Sequence, residues 1–217
     1  MKAATGLLDL FYPPRCVLCR KLLQKDERDF CIPCRLALPI FDGPWELPPE
    51  FSGAAVALRY HGTVREALLR FKFNGCSFYA GSFAPLLAAA ASTLPLPDLD
   101  AVTWIPVSRR RKRERGYDQT FLLARGAASI LDKPLEACLD KWRDNPPQSS
   151  LGPAGDRRAN VAGVYRLRRG AACAGRRYLL LDDIITTGST AREAARTLLS
   201  AGASAVYFAA LATGRDP

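Results

Sequence analysis

Four cysteines and a pair of aspartates carry the most specific chemistry in this chain. Cys16, Cys19, Cys31 and Cys34 are spaced C-x2-C-x11-C-x2-C within "RCVLCRKLLQKDERDFCIPC". Each close pair presents two thiolates from one tight turn, and two such turns complete a closed tetrahedral shell, the donor set of structural zinc. A redox C-x-x-C or unliganded thiols are the alternatives. Cys76, Cys138 and Cys173 are isolated and read as small packing residues. The second feature is "YLLLDDIITTGST", residues 178 to 190, an apolar run that meets Asp182 and Asp183 and then a loop of hydroxyls and glycine. Adjacent carboxylates repel, so something cationic or rich in hydroxyls belongs there. Thr186, Thr187, Gly188, Ser189 and Thr190 lead into a helical pattern, where backbone N–H groups and a helix N-terminus converge to cradle a phosphate. A phosphate monoester with a vicinal diol a few ångströms away satisfies both halves, and ribose 5-phosphate has that shape. Taken one residue at a time, a turn-starting Asp and a Ser/Thr helix cap explain the string equally; as an ordered whole it reads as a site.

These residues need elements to hold them. "YLLL" reads as a strand, "TAREAARTLLSAG" as the helix after the loop and "AVYFAALAT" as a last strand. Upstream, "AAVALRY" and "AVTWIPV" read as strands, and "TVREALLRF", the alanine-rich stretch near 83–93 and the span from about Asp118 to Leu131 as helices. Such alternation predicts a mainly parallel sheet flanked by crossover helices, an α/β fold. Ligands of such sheets bind beyond the carboxyl ends of the strands, where Asp182 and Asp183 are expected as the strand gives way to its loop. "LPIFDGPWELPPE", residues 38–50, is a proline-dense linker. The expected organisation is a zinc-ribbon-like module with linker over 1–45 and the α/β domain over 46–217, whose core is expected to hold without the metal knuckle.

The segment "VSRRRKRERGYDQ", residues 107–119, follows a strand on the same expected sheet edge. It reads as a basic loop of mixed use. Arg115 and Gly116 would approach a diphosphate, while Arg109, Arg110, Arg111, Lys112 and Arg113 face a polyanion such as single-stranded nucleic acid. A solvated basic surface is the blander alternative. Residues 148–160, with Arg157 and Arg158 among glycines and prolines, read equally as a lid or a surface excursion. His61, the only histidine, reads as a cap or surface residue, and Lys72 as a phosphate contact or a lysine stretched over an apolar face. Trp45, Trp104 and Trp142 are too scattered to imply a stacking row.

The chain has 217 residues, 48% of them apolar and 24% charged, a globular balance, and its formal charge of +10 favours anionic partners. No apolar stretch is long enough to span a membrane, and the first residues lack the core of a signal peptide, so a cytoplasmic protein with reduced thiols is expected. Neither G-x-x-x-x-G-K-[ST] nor G-x-G-x-x-G occurs, which removes P-loop motors and dinucleotide-dependent dehydrogenases.

The string from Tyr178 to Thr190 resembles the phosphoribosyl-diphosphate (PRPP) signature of type I phosphoribosyltransferases. With the cysteine head, "YHGTVREALLRFKFNG" and "RERGYDQ", the whole chain resembles the ComF competence family. Related sequences commonly read Arg-Gly-Phe-Asn-Gln where this one has Tyr117 and Asp118. The resemblance implies a type I phosphoribosyltransferase fold that binds PRPP or a related ribose phosphate with Mg²⁺, and a part in DNA uptake and natural transformation. Asp182 and Asp183 would be the catalytic, ribose-holding pair, Thr186 to Thr190 the phosphate loop, and the acceptor is unspecified. It implies equally an adaptor without catalysis that binds single-stranded DNA or other competence proteins.

Overall fold

The computed structural model describes residues 13–43, 48–96, 99–143 and 163–214. The proposed lid at 148–160, Trp45 and the junction at 45/46 lie outside them. The elements run α1 (Ile32–Leu36), β1 (Gly53–Arg59), α2 (Gly62–Phe73), α3 (Tyr79–Ala91), β2 (Ala101–Trp104), α4 (Arg109–Arg115) and α5 (Gln119–Ile130). After them come β3 (Leu139–Lys141), β4 (Tyr165–Leu167), β5 (Arg177–Ile185), α6 (Ser189–Ser200) and β6 (Ala205–Thr213).

Four strands form one parallel sheet in the order β1-β6-β5-β2, and β3 pairs with β4 in a small antiparallel pair. The central strands are apolar on both faces because both are covered. On one side Leu179 and Leu181 of β5 pack with Leu68 and Phe71 of α2, Phe83 and Leu87 of α3, and Leu123 and Ala127 of α5. On the other, Tyr178 and Leu180 pack with Ala194 and Leu198 of α6 and with Leu139 and Tyr165 of the β3/β4 pair.

Three details differ from the sequence expectation. β5 does not end at Leu181: it stays paired with β6 through Asp182 to Ile185, opposite Ala210 to Thr213, so the aspartates lie inside a strand. The basic segment is not a loop but a short helix. Ser108 Oγ caps it by accepting Arg111 N–H at 3.2 Å, Arg110 and Glu114 pair one turn apart, and Gly116 ends it at φ +81°, a conformation that side chains with a Cβ resist.

The third difference is the metal knuckle, which shares the main core. Val17, Leu18 and Phe30 are at most 8% exposed and belong to the same cluster as Phe71 and Phe83. Each such side chain contributes roughly 2 kcal/mol of burial, so the knuckle and the flank of the sheet formed by α2 and α3 share one apolar core.

Candidate functional site

The knuckle is built by two turns and a short helix. Arg20 and Asp29 take positive φ to close the turns, Val17 N–H reaches Asp29 O at 2.8 Å between them, and Cys31 is the N-cap of α1. The four Sγ atoms lie within 4.8 Å of one another, with Cys19 Sγ 3.6 Å from Cys31 Sγ. Four thiolates about 2.3 Å from a zinc ion would stand about 3.8 Å apart, so this set fits structural zinc. Burial pushes the Cys16 thiol up, but the N–H groups of Cys19, Cys31 and Leu18 overcome it and hold it down to about 7, whereas burial and the neighbouring thiols push Cys34 up, so without a metal the four do not ionise together.

At the carboxyl end of β5, Gly188 takes φ +76° and is the N-cap of α6. Its left-handed backbone turns the chain directly into the helix, where a β-branched residue would be strained. Thr187 Oγ1 and Ser189 Oγ stand 3.0 Å apart across this turn. Asp182, Thr186, Thr187, Gly188, Ser189 and Thr190 line one small cleft of about 50 Å³, so the structure brings these predicted residues together.

It does not bring Asp183 with them. Side chains alternate along a strand, and Asp183 projects toward the α2/α5 face. Lys72 Nζ is 3.0 Å from its Oδ1 and Gln119 Nε2 donates to its Oδ2 at 2.8 Å. Asp183 is 5% exposed, and both its oxygens are engaged. Asp182 accepts the Asp183 N–H at 2.8 Å through Oδ1, and its Oδ2 has no hydrogen-bond partner among the described residues. Burial and then the Asp183 carboxylate push Asp182 well above the ordinary carboxylate range, while Lys72 and Lys141 act against them.

Arg115 is half-buried with its guanidinium 4.8 Å from the centre of the Phe73 ring. Burial lowers its pKa, and the charge of Asp183 acts against that shift at a distance, without an ion pair between the two. Gly116 stands beside it as the helix end.

The helix divides the remaining basic residues. Arg109 and Lys112 line a groove of about 390 Å³ with Lys141, Trp142, Arg166 and Arg168, whereas Arg110 is paired with Glu114. Arg111 is half-buried and Arg113 exposed. Trp142 is 58% exposed, with the Arg166 guanidinium 4.4 Å from its ring centre. His61 is exposed and stands at the N-cap of α2 without a side-chain cap bond. The sequence reading missed Gln119 and the pairing of Lys72, because partners 64 and 111 residues away leave no local pattern.

A parallel sheet with a hydroxyl-rich turn at a helix N-terminus, joined to a four-cysteine knuckle, defines a type I phosphoribosyltransferase-like protein with a zinc ribbon. Residues 118–217 match the phosphoribosyl transferase domain family and residues 7–45 the double zinc ribbon domain family. The DNA utilization protein YhgH of Salmonella typhi is 30% identical over 166 residues, covering 73% of this chain and 71% of that protein. Competence protein ComFC of Bacillus subtilis (strain 168) is 33% identical over 147 residues, covering 67% of this chain and 58% of that protein. The chain belongs to this ComF/YhgH family of competence and DNA-utilization proteins. Among solved structures, the glutamine PRPP amidotransferase of B. subtilis complexed with ADP and GMP aligns at 24% identity and a TM-score of 0.42, over 62% of this chain and 26% of that one.

Proposed function

We propose that the cleft at the head of α6 binds PRPP or a related ribose phosphate, and that this binding serves DNA uptake in the cytoplasm. The observation that carries the reading is Gly188: its left-handed turn sets backbone donors at the start of a 12-residue helix directly beside the open oxygen of Asp182. That juxtaposition suits a 5-phosphate next to a ribose diol. Asp182 takes the ribose hydroxyls, and Arg115, half-buried at the end of the basic helix, is the cation assigned to a diphosphate, while Lys72 stays engaged by Asp183 on the other face of β5. In displacement at the anomeric carbon the bond to diphosphate breaks as the acceptor's bond forms, and Arg115 would carry part of the charge that builds on the leaving group. The one cluster of three or more metal-ligating groups among the described residues is the cysteine set, so Mg²⁺ would arrive on the ligand's diphosphate.

Calorimetric titration with ribose 5-phosphate and with PRPP tests this. Ribose 5-phosphate should bind without Mg²⁺, and PRPP should gain affinity when Mg²⁺ is added. Binding of neither ligand would end the proposal.

A second reading, single-stranded DNA binding, is favoured by the groove. Arg109, Lys112 and Arg168 have no carboxylate partner there among the described residues, and Trp142 offers an exposed ring for a base. Changing Arg109 and Lys112 to Gln should lower the log–log salt slope of DNA binding by roughly 0.7 for each phosphate that is no longer neutralised. An unchanged slope would return these residues to the solvated surface.

A further inference from the structure

The last turn of α2 touches three parts of the molecule to which chemistry has been assigned. Arg70 Nη2 donates to the carbonyls of Val17 and Leu18, at 2.9 and 2.6 Å, inside the turn between Cys16 and Cys19. The next residue, Phe71, is fully buried, and its carbonyl accepts the Tyr117 hydroxyl. Lys72 pairs with Asp183, and the Phe73 ring lies under Arg115. Four consecutive residues thus connect the metal knuckle, the end of the basic helix and the acidic pair. A helical turn moves as a unit, so a displacement of Arg70 carries Lys72 with it.

Arg70 depends on the knuckle for its place. Its side chain is 14% exposed, its Nε is buried without a hydrogen-bond partner, and Glu66 reaches it only at 3.9 Å. The strong acceptors it has are the two knuckle carbonyls, and a metal held by Cys16 and Cys19 would fix the turn that presents them. We propose that Lys72 and, behind it, Arg70 are positioning residues of the ribose-phosphate site, anchored on the metal knuckle, so that metal occupancy sets the affinity for ribose phosphates. This rests on the reading of the cleft given above. With the knuckle ordered, Lys72 stays against Asp183 and offsets the repulsion between the two neighbouring carboxylates. The Lys72 charge also favours the ionised form of Asp182, the form that accepts ribose hydroxyls. With the knuckle loosened, Arg70 loses both acceptors, Lys72 leaves, and Asp183 becomes a buried charge without its cation beside the ligand-binding carboxylate.

The experiment compares zinc-loaded wild type, Arg70→Met and Arg70→Lys by titration with ribose 5-phosphate, with zinc content measured on each. Arg70→Met should bind about tenfold more weakly while keeping its zinc, a typical coupling between two sites. Arg70→Lys, which restores one donor, should lie between. Treating wild type with a chelator should weaken binding to a similar degree, and chelation of Arg70→Met should add little, because both act on one path. Hydrogen exchange at the Asp182 and Asp183 amides of the ligand-free protein gives a readout independent of binding. Its protection should fall in Arg70→Met and in the chelated wild type. If Arg70→Met does not fold, Arg70→Lys carries both measurements. Wild-type affinity and wild-type exchange in the Arg70 variant would overturn the inference. Failure of zinc-loaded wild type to bind ribose 5-phosphate would instead overturn the reading of the cleft.

Discussion

Asp182 and Asp183 are adjacent in the chain, yet they occupy the two opposite faces of β5 and meet opposite surroundings. Asp183 points into the face covered by α2 and α5, where Lys72 and Gln119 take both its oxygens. Asp182 points to the face shared with α6 and the β3/β4 pair, lines the cleft of the phosphate loop and keeps an oxygen unengaged. A like-charged pair is tolerated because one member is neutralised by structure and the other is left to a ligand. The difference teaches that a doubled acidic residue inside a strand is two sites of period two, one structural and one open, rather than one bidentate clamp.

The largest effect should come from the structural member. Asp183→Ala leaves the Lys72 ammonium, 16% exposed, without its anion and Gln119 without its acceptor. Loss of one partner of a buried pair costs about 3 kcal/mol, read as a lowered urea midpoint. Asp182→Ala should shift that midpoint far less, and equal losses would break the comparison.

Next is the loop that gives Asp182 its cleft. Gly188→Val forces a β-branched residue to φ +76°, at a strain of about 1–2 kcal/mol, while its Cβ would meet Ile185 Cδ1 only in ordinary contact at 3.6 Å. Ribose 5-phosphate affinity should fall at least hundredfold, to about 2.7 kcal/mol weaker binding, with the sheet still formed. Retained affinity in a folded Gly188→Val protein would separate Asp182 from any phosphate cradle.

Much of the frame that sets up this contrast was legible in the sequence. β6 spans "AVYFAALAT" as read, and α5 begins after Asp118, whose side chain accepts Phe121 N–H at 3.0 Å as an N-cap should. Apolar periodicity and caps are local signals, and they served. The continuation of β5 through two aspartates was not local: it is set by pairing with β6, which overrides the low strand preference of Asp. The basic helix has no apolar stripe to betray it, and β3 and β4 are three residues each, paired across a long insertion. The joining of Lys72 to Asp183 needs the whole fold. Tyr117 likewise acquires a partner only in space, since its hydroxyl binds the carbonyl of Phe71, 46 residues away.

A smaller effect isolates the charge of the open member. Asp182→Asn keeps the shape of the cleft but replaces a charged acceptor by a neutral one, so ribose 5-phosphate should bind about tenfold more weakly, near 1.4 kcal/mol. Asn also turns and caps well, so an unchanged affinity would mean that the cleft reads no ribose at all.

The smallest effect concerns pH, and its sign follows from the raised pKa of Asp182. Below about pH 3.9 the carboxyl is protonated in both the folded and the unfolded chain, and burying it carries no ionisation cost. As pH rises past that value the unfolded chain releases its proton first, while burial and Asp183 hold the proton on the folded one. The unfolded state is then favoured step by step until the pH passes the raised folded value, so this residue contributes stability at acid pH that is lost toward neutrality. Asn at this position titrates nowhere in the range. Asp182→Asn should therefore match wild type in thermal midpoint near pH 3.5 and exceed it at pH 7, with the gap opening upward from about pH 4. Scanning calorimetry of the two ligand-free proteins across that range reads the gap directly. A gap that closes toward neutral pH would mean that the neighbours of Asp182 favour its ion over its acid, and burial on this face of β5 would not govern it.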